Sequence, residues 1–206
     1  MSHITTLLFD IGGVILTNGW DEVNRREGTE YFKLDFDETE RRHNEIFPDF
    51  EKGNVSLNKY VEEVIFYKKR NFNREDFINF IKSRTKPYES SIQILEKLSK
   101  DKKYLLAAIN NESYELNLFR INQFKLYKYF TSFFSSGFLN TRKPEPRIYK
   151  IALNVLHKTP SECLFIDDRI ENIEEAQKQG IKTIHLTDVK NLHNLLPEKG
   201  ILFNSK

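Results

Sequence analysis

The sequence lacks the features of a secreted or membrane-spanning protein. It has one cysteine in 206 residues, Cys163, so no disulfide can form within the chain. No apolar run approaches the roughly 18 residues that a membrane span needs. The N-terminus has no basic region followed by a long apolar segment, which is the pattern of a secretory signal. We therefore expect a protein of the reducing cytoplasm without a membrane partner.

An excess of charge of one sign is also missing. The 32 basic and 30 acidic residues give a formal net charge of only +2. The basic residues are scattered, and the densest run is Lys68-Lys69-Arg70. This run follows a helical pattern, and cations at the C-terminal end of a helix complement its dipole. The distribution predicts no nucleic-acid partner, because such proteins concentrate basic residues on one face.

Apolar patterning predicts an α/β fold. The chain is long enough for one core with an insertion or for two small domains. Most of its short β-rich apolar stretches are separated by helical patterns, which is typical of a Rossmann-like parallel sheet with helices on both faces. The five predicted strands are residues 4–9, 103–109, 131–136, 163–166 and 181–186. We also expect a helical stretch over 114–128, directly after the second strand.

The region after the first strand departs from this alternation. From residue 21 onward it shows helical patterns and no convincing strand; one of its helices is predicted to begin after Ser56, a typical N-cap. We interpret residues 17–86 as a small helical cap, and residues 1–16 and 87–206 as the α/β core. Asn18, Trp20 and Asp21 stand where the cap begins, and they either line a pocket or pack the linker.

Polar residues follow four of the predicted strands. Each type is common in turns, but the carboxyl ends of parallel strands meet at one edge of a sheet, where ligands bind. We therefore expect these side chains to lie close together. They are Asp10 with Gly12 and Gly13 behind it, Asn110 and Asn111, Lys143, and Asp167 with Asp168.

This combination of groups indicates phosphoryl transfer with a divalent cation. Crowded carboxylates at Asp10, Asp167 and Asp168 would raise one another's pKa unless a cation neutralised them. Mg²⁺ takes oxygen ligands and usually keeps water and substrate phosphate in its coordination sphere. Lys143 adds a positive charge for phosphate or for a nucleophile. Backbone N–H groups at the helix start near Asn111 could bind phosphate oxygens.

With these residues in view, the sequence resembles the haloacid dehalogenase-like (HAD) superfamily. Four motifs of that superfamily occur in order between residues 4 and 180. They are Phe9-Asp10-Ile11-Gly12-Gly13-Val14-Ile15, the strand end Asn110-Asn111, the pair Lys143-Pro144, and Phe165-Ile166-Asp167-Asp168 with Asn172 four residues on. The insertion is similar to the small helical cap of the group that contains β-phosphoglucomutase and many sugar phosphatases. The Asp-x-Gly start, with Arg-Lys-Pro-Glu later, is similar to bacterial α-glucose-1-phosphate phosphatases.

The resemblance implies Mg²⁺-dependent hydrolysis of a phosphate monoester of a small metabolite, such as a sugar phosphate. Asp10 would be the nucleophile and would form an aspartyl-phosphate. The metal ligands would be Asp10, the carbonyl of Gly12, and the pair Asp167 and Asp168. Of that pair, Asp168 is expected to bind the metal directly and Asp167 to lie in the outer shell or to pair with Lys143, although the two roles could be exchanged.

Phosphate binding is assigned by the same resemblance. Asn110 and Asn111 would hold the phosphate together with Gly12, and Lys143 would neutralise charge. Asn110 stands where the family usually has Ser or Thr. Asn can still donate a hydrogen bond, but its side chain is bulkier.

Gly12 marks the main departure from the family pattern. A second aspartate usually stands there; it protonates the leaving oxygen and then activates water. General acid–base help of this kind is worth about 10²–10⁴-fold in rate. We therefore expect a slower reaction and a leaving group that needs little protonation, such as an anomeric hydroxyl. Glu112 is either a substitute acid or an acidic residue that complements a helix N-terminus.

Two other functions are considered. A metal-independent dehalogenase of the same fold would also use Asp10, but two further uncompensated carboxylates at Asp167 and Asp168 would be costly beside it. A non-catalytic protein that binds phosphate or a partner through the same fold is the second alternative. The substrate and the oligomeric state are left open.

Overall fold

In the computed structural model, which describes residues 3–203, five strands form one parallel sheet in the order β3-β2-β1-β4-β5. The strands are β1 (Thr6–Phe9), β2 (Leu105–Asn110), β3 (Ser132–Ser135), β4 (Cys163–Asp167) and β5 (Lys182–His185). Phe9 at the end of β1 lies opposite Ala108 of β2 and Ile166 of β4. The residues that follow these strands therefore emerge side by side at one edge.

The predicted fold class is confirmed, with strand ends that differ by one or two residues. The largest consequence is at β2, which continues through Asn110 instead of ending at residue 109. The helix expected over 114–128 is wrong at its end. It stops at Gln123, and a short 3₁₀ turn over Leu126–Lys128 follows. Lys125 between them has a φ of 52°, a left-handed conformation that an α-helix cannot contain.

Ten α-helices lie within the described part of the chain. Four belong to the insertion after β1: α1 (Glu22–Tyr31), α2 (Phe36–Glu51), α3 (Leu57–Val64) and α4 (Arg74–Ser83). The others are α5 (Glu89–Asp101), α6 (Tyr114–Gln123), α7 (Ser136–Leu139), α8 (Pro146–Leu156), α9 (Ile170–Lys178) and α10 (Leu192–Glu198). No helix within residues 3–203 combines the length and the apolar composition needed to cross a bilayer.

Side-chain alternation along the strands builds an apolar layer on each face of the sheet. In β1, Leu7 and Phe9 join one layer and Leu8 joins the other. A third cluster fills the insertion around Tyr60 and Phe77, and Leu116 of α6 belongs to it. The insertion is therefore packed onto the core at the carboxyl edge of the sheet.

Two stretches of chain connect the insertion to the core and hydrogen-bond to each other. Leu16 and Pro87 form an antiparallel bridge, and the Thr17 N–H donates to the Lys86 carbonyl at 2.9 Å. Ser56 caps α3, as expected, by accepting a hydrogen bond from the Lys59 N–H. The division of the chain at 16/17 and 86/87 remains a prediction.

Further contacts hold the insertion over the sheet edge. The Leu57 N–H donates to Glu115 Oε1 at 3.1 Å, and Ser136 Oγ donates to the carbonyl of Glu51 at 2.7 Å. Glu51 also forms an ion pair with Arg142 of the core. Because these bonds come from α2 and α3, they bring one face of α2 over the end of β1.

Candidate active site

Asp10 is fixed at the end of the central strand. Its backbone N–H donates to the Ile166 carbonyl at 2.9 Å, and its Oδ1 accepts the Ile11 N–H at 2.7 Å. The same oxygen lies 2.9 Å from Lys143 Nζ. The side chain is buried yet lines a cavity between the sheet edge and the insertion. Oδ2 accepts no hydrogen bond from residues 3–203, so it is the less engaged of the two carboxylate oxygens.

Lys143 lies between two carboxylates. Its Nζ is 2.9 Å from Asp10 Oδ1 and 2.6 Å from Asp167 Oδ2, and its side chain is almost fully buried. Burial alone would lower the pKa of Lys143, but the adjacent carboxylates raise it above its usual value. The ammonium group is therefore charged at every physiological pH.

Asn111 positions Lys143 through the backbone. The Lys143 N–H donates to Asn111 Oδ1 at 2.8 Å, and Asn111 Nδ2 donates to the Lys143 carbonyl at 2.8 Å. Both ends of the Asn111 amide are thus committed to the loop that carries the lysine. Asn111 lines the cavity as well.

Asp167 and Asp168 occupy different environments. Asp167 is fully buried; its carboxylate pairs with Lys143 and accepts hydrogen bonds from the Arg169 N–H and from Asn172. Asp168 lines the cavity, which Asp167 does not. Burial and the neighbouring charge of Asp167 raise the pKa of Asp168. Of the two carboxylates, only that of Asp168 faces the cavity.

The three carboxylates form a cluster that could hold a metal ion. One oxygen from each of Asp10, Asp167 and Asp168 lies within 4.8 Å of the others. Burial raises the pKa of Asp10 to about 8 against the lowering effect of Lys143, and the charge of Asp167 adds to the rise. One lysine cannot balance three carboxylates. This donor set of hard oxygens with excess negative charge fits a divalent cation such as Mg²⁺.

Two glycines shape the loop after Asp10. Gly13 has a φ of +74°, which side-chain-bearing residues rarely adopt. A Cβ placed on Gly12 would lie 2.7 Å from Asn18 Oδ1 and 3.7 Å from Arg120 Nη1. The space next to Gly12 is thus bordered by an amide and a guanidinium.

Glu112 is held by Arg120 in a buried ion pair. Glu112 Oε2 lies 3.0 Å from Arg120 Nη1, and the two side chains are 12% and 4% exposed. Burial raises the pKa of Glu112, while the guanidinium opposes that rise. Arg120 also donates to the backbone carbonyl of Asn18. The place of Arg120 in the site could not be predicted from the sequence. It is a single arginine on a helix, and only the tertiary fold brings it next to Glu112 and Asn18.

Asn110 is turned away from the cavity. Its Oδ1 accepts a hydrogen bond from Ser135 Oγ at 2.6 Å, and its Nδ2 donates to Asn117 Oδ1 at 3.0 Å. Its side chain is buried and is not part of the cavity wall. The phosphate-binding roles of Asn110 and Asn111 remain predictions, and of the two only Asn111 lines the cavity.

The cavity has a volume of about 350 Å³ and extends from Asp10 to the insertion. Asn18, Trp20 and Asp21 line it, so these residues do more than pack the linker. One face of α2 supplies much of the opposite wall, with residues at helical spacing that the sequence patterns did not single out. They are His43, Asn44, Phe47, Phe50 and Glu51.

A family model for haloacid dehalogenase-like hydrolases matches residues 4–180 of this sequence. The chain belongs to this family. Its four motifs meet at a single sheet edge. In this HAD-like hydrolase, Asp10, Lys143 and Asp168 line one cavity, and Asp167 lies behind them, paired with Lys143.

Curated relatives of this hydrolase include enzymes of two kinds. It is 26% identical over 162 residues to flavin mononucleotide hydrolase 1 of the Arabidopsis thaliana chloroplast, a match that covers 79% of this chain and 65% of that protein. It is 30% identical over 99 residues to (S)-2-haloacid dehalogenase 4A of Burkholderia cepacia, covering 48% of this chain and 42% of the other. The chain thus spans less than two thirds of the length of these relatives.

Solved structures confirm the fold of the hydrolase. A HAD family enzyme from Bacteroides thetaiotaomicron superposes with a TM-score of 0.77 at 21% identity, covering 95% of this chain and 99% of that one. A structure of that enzyme in complex with magnesium and inorganic phosphate gives a TM-score of 0.72 at 23% identity, covering 88% and 93%. At these identities the likeness establishes the fold alone.

Proposed function

We propose that this hydrolase cleaves the phosphate monoester of a small metabolite with the help of Mg²⁺. One observation carries the proposal: Asp10 Oδ1 is held by the Ile11 N–H and Lys143, within a group of three carboxylates whose oxygens lie within 4.8 Å. This arrangement leaves Oδ2 free to attack while a lysine and a cation site lie beside it. The magnesium and phosphate complex of the Bacteroides enzyme supports the choice of cation and of chemistry.

The proposed reaction has two displacements at phosphorus. Asp10 Oδ2 attacks the phosphorus, the ester oxygen leaves with the bonding electron pair, and an aspartyl-phosphate forms on Asp10. Water then attacks the same phosphorus and releases inorganic phosphate, which returns the carboxylate. Lys143 holds Oδ1 throughout, so only one carboxylate oxygen can become the acceptor.

The other site residues are assigned to the cation and to the phosphoryl group. Asp10, Asp168 and the Gly12 carbonyl would hold Mg²⁺, with Asp167 behind them bound to Lys143. When bound, Mg²⁺ neutralises charge that develops on the phosphoryl oxygens. Backbone N–H groups near Gly12 and Asn111 are proposed to bind the same oxygens.

The leaving group is expected to depart without a carboxylic acid at position 12. The sequence suggests Glu112 as a substitute general acid, but its carboxylate forms an ion pair with Arg120. An anomeric hydroxyl is more acidic than a simple alcohol, so a glycosyl phosphate suits this site. We therefore propose α-glucose 1-phosphate as the first compound to test. The likeness to flavin mononucleotide hydrolase 1 makes flavin mononucleotide the second.

Dehalogenation is the second candidate function, and it has a dehalogenase among the relatives to support it. The acidic pair argues against it. A cation-free site would leave Asp10 and Asp168 with only Lys143 to offset them, and Lys143 already pairs with the buried Asp167. Such uncompensated carboxylates are costly in a buried site.

A hydrolysis panel with Mg²⁺ and with EDTA tests the proposal. It contains p-nitrophenyl phosphate, α-glucose 1-phosphate, glucose 6-phosphate, flavin mononucleotide and (S)-2-chloropropionate. We expect phosphate release that EDTA abolishes and that Asp10→Asn removes. Chloride release unaffected by EDTA would establish the dehalogenase instead. Mg²⁺ binding without turnover, when the panel is extended to a broad set of phosphorylated metabolites, would support a non-catalytic protein.

A further inference from the structure

Three buried side chains of the insertion form a hydrogen-bond chain that ends at the cavity. Trp20 Nε1 donates to the Tyr60 hydroxyl at 2.8 Å, and that hydroxyl lies 2.7 Å from His43 Nδ1. Tyr60 is fully buried and stacks on Phe50 with ring centroids 4.2 Å apart. Trp20 and His43 line the cavity, whereas Tyr60 lies behind them.

The direction of this chain is set by the donors available. An indole N–H can only donate, so the Tyr60 oxygen accepts from Trp20. Residues 3–203 offer the Tyr60 proton no acceptor other than His43 Nδ1, so we assign Tyr60 as the donor and Nδ1 as the acceptor that carries no proton. Burial, with the positive charge of Arg25 adding to it, lowers the pKa of His43 to about 4. The imidazole is therefore neutral, and its only proton is on Nε2.

The Nε2–H group has no protein partner. Residues 3–203 provide no hydrogen bond to it. His43 is only 2% exposed overall, but it lines the cavity, so the cavity is where its ring can meet a ligand. The hydrogen-bond chain from Trp20 through Tyr60 to His43 therefore fixes an N–H donor, Nε2 of His43, on the part of the cavity wall that the insertion supplies.

The cations on the cavity wall are already neutralised by protein carboxylates. Arg25 binds both oxygens of Glu40 at 2.6 and 2.7 Å, and Arg120 pairs with Glu112. Within the described chain, the remaining cavity-lining cations are paired as well: Lys143 with buried carboxylates, and Arg169 with Glu171 in a pair whose side chains are 64% and 54% exposed. A second phosphate group on the substrate would have to compete with a protein carboxylate for any of these cations. Aromatic surface from Trp20, Phe47 and Phe50 lies beside the donor instead.

We infer that the Nε2–H of His43 recognises the leaving group of the substrate by donating to an uncharged oxygen or nitrogen acceptor. The inference rests on the proposed phosphatase function and names its substrate class. The substrate is a monophosphate ester whose remaining part is uncharged, carries a hydroxyl, carbonyl or ring-nitrogen acceptor, and packs on the aromatic surface. Bisphosphates are expected to bind less well, because their second charge must compete with Glu40, Glu112 or Glu171 for a cation.

Two near-isosteric variants test the position of the donor. His43→Gln can place an amide N–H near the position of Nε2, whereas His43→Asn reaches only the position of Nδ1. The readout is a ratio of two kcat/KM values. The numerator is the value for the best acceptor-bearing substrate among α-glucose 1-phosphate, glucose 6-phosphate and flavin mononucleotide. The denominator is the value for phenyl phosphate. We expect His43→Asn to lower this ratio about tenfold, the value of one hydrogen bond, and His43→Gln to restore most of it.

A matched control comes from the same helix. Glu45 is exposed on α2 and does not line the cavity, so Glu45→Gln should leave the ratio unchanged. Glucose 1,6-bisphosphate supplies the charge test, and wild type should hydrolyse it at least tenfold less efficiently than α-glucose 1-phosphate.

The outcomes separate this inference from the proposed function. If wild type hydrolyses none of the phosphate esters, the phosphatase function itself is wrong. If it hydrolyses them but both His43 variants change the ratio equally, or neither changes it, the donor role of His43 is wrong while the function stands. A preference for the bisphosphate would overturn the assigned substrate class.

Discussion

Asp168 lies so close to Gly13 that a Cβ on this glycine would come within 2.1 Å of Asp168 Oδ2. The glycine therefore serves two purposes. It adopts a φ of +74°, and it leaves room for the carboxylate that faces the cavity. Any side chain at this position must displace Asp168 from the acidic cluster.

Gly13→Ala is expected to weaken Mg²⁺ binding at least tenfold, because the new methyl group moves Asp168 away from Asp10. The positive φ adds roughly 1–2 kcal/mol of strain to the folded state. Isothermal titration calorimetry with Mg²⁺ measures the first effect, and urea unfolding measures the second. Gly200→Ala is the control, since Gly200 has a φ of +78° and a Cβ there would meet nothing within 4 Å. Equal Mg²⁺ affinities in the two variants would contradict the steric argument.

Lys143→Met is expected to destabilise the protein and to abolish turnover. It leaves Asp10 and Asp167 buried without their shared cation, and breaking a buried ion pair costs about 3–5 kcal/mol. Urea unfolding measures this loss, and added Mg²⁺ should recover part of it by supplying another positive charge. The exposed Lys178, paired with Glu175 at 3.5 Å, gives a control whose replacement by Met should cost within about 0.5 kcal/mol. A similar loss in both variants would show that the buried lysine is not needed for charge balance.

Acid is expected to destabilise the insertion through His43. The pKa of this imidazole falls from 6.5 to about 4 on folding, because burial disfavours its charged form. As the pH falls, His43 is therefore protonated in the unfolded chain at a higher pH than in the folded protein. The stabilisation is fully present above pH 6.5 and is lost as the pH falls from 6.5 towards 4, up to a total of about 3 kcal/mol. The difference in unfolding free energy between wild type and His43→Gln, followed from pH 8 to pH 4, should shrink by this amount. Parallel curves would show that His43 titrates normally.

Glu112→Gln is expected to leave the leaving-group dependence of the rate unchanged. Arg120 holds the Glu112 carboxylate at 3.0 Å, and this ion pair opposes the rise in the pKa of Glu112 that burial causes. We therefore expect Glu112 to act as the ion-pair partner of Arg120 and not as the proton donor. Without an acid at position 12, the rate with a series of substituted phenyl phosphates should fall steeply as the pKa of the phenol rises. A shallow dependence in wild type that becomes steep in Glu112→Gln would instead identify Glu112 as the general acid.

The sequence was sufficient to predict the sheet and the residues at the carboxyl ends of its strands. Periodicity placed the strands, and parallel order then required Asp10, Lys143 and Asp168 to meet at one edge. Asn110 shows the limit of this reasoning. Because β2 continues one residue further than predicted, the Asn110 side chain follows strand alternation to one face of the sheet and bonds to Asn117 and Ser135.

The cavity wall opposite Asp10 could not be predicted in the same way. His43, Phe47 and Phe50 share one face of α2, but an apolar helical face can pack in many directions, and only the tertiary fold shows that this one faces Asp10. Arg120 is a similar case. Its place beside Gly12 depends on how α6 crosses the linker at Asn18, which no local pattern reports.

The ion pair between Glu51 and Arg142 affects which kinetic constant shows the enzyme's preference among substrates. Glu51 ends the helix that presents His43, and Arg142 directly precedes Lys143 in the chain. Their ion pair ties α2 to the loop that carries Lys143, the charge partner of Asp10. We expect a leaving group that displaces α2 to disturb Lys143 too. Poor substrates are expected to turn over slowly even at saturation, so discrimination will be seen in kcat as well as in KM.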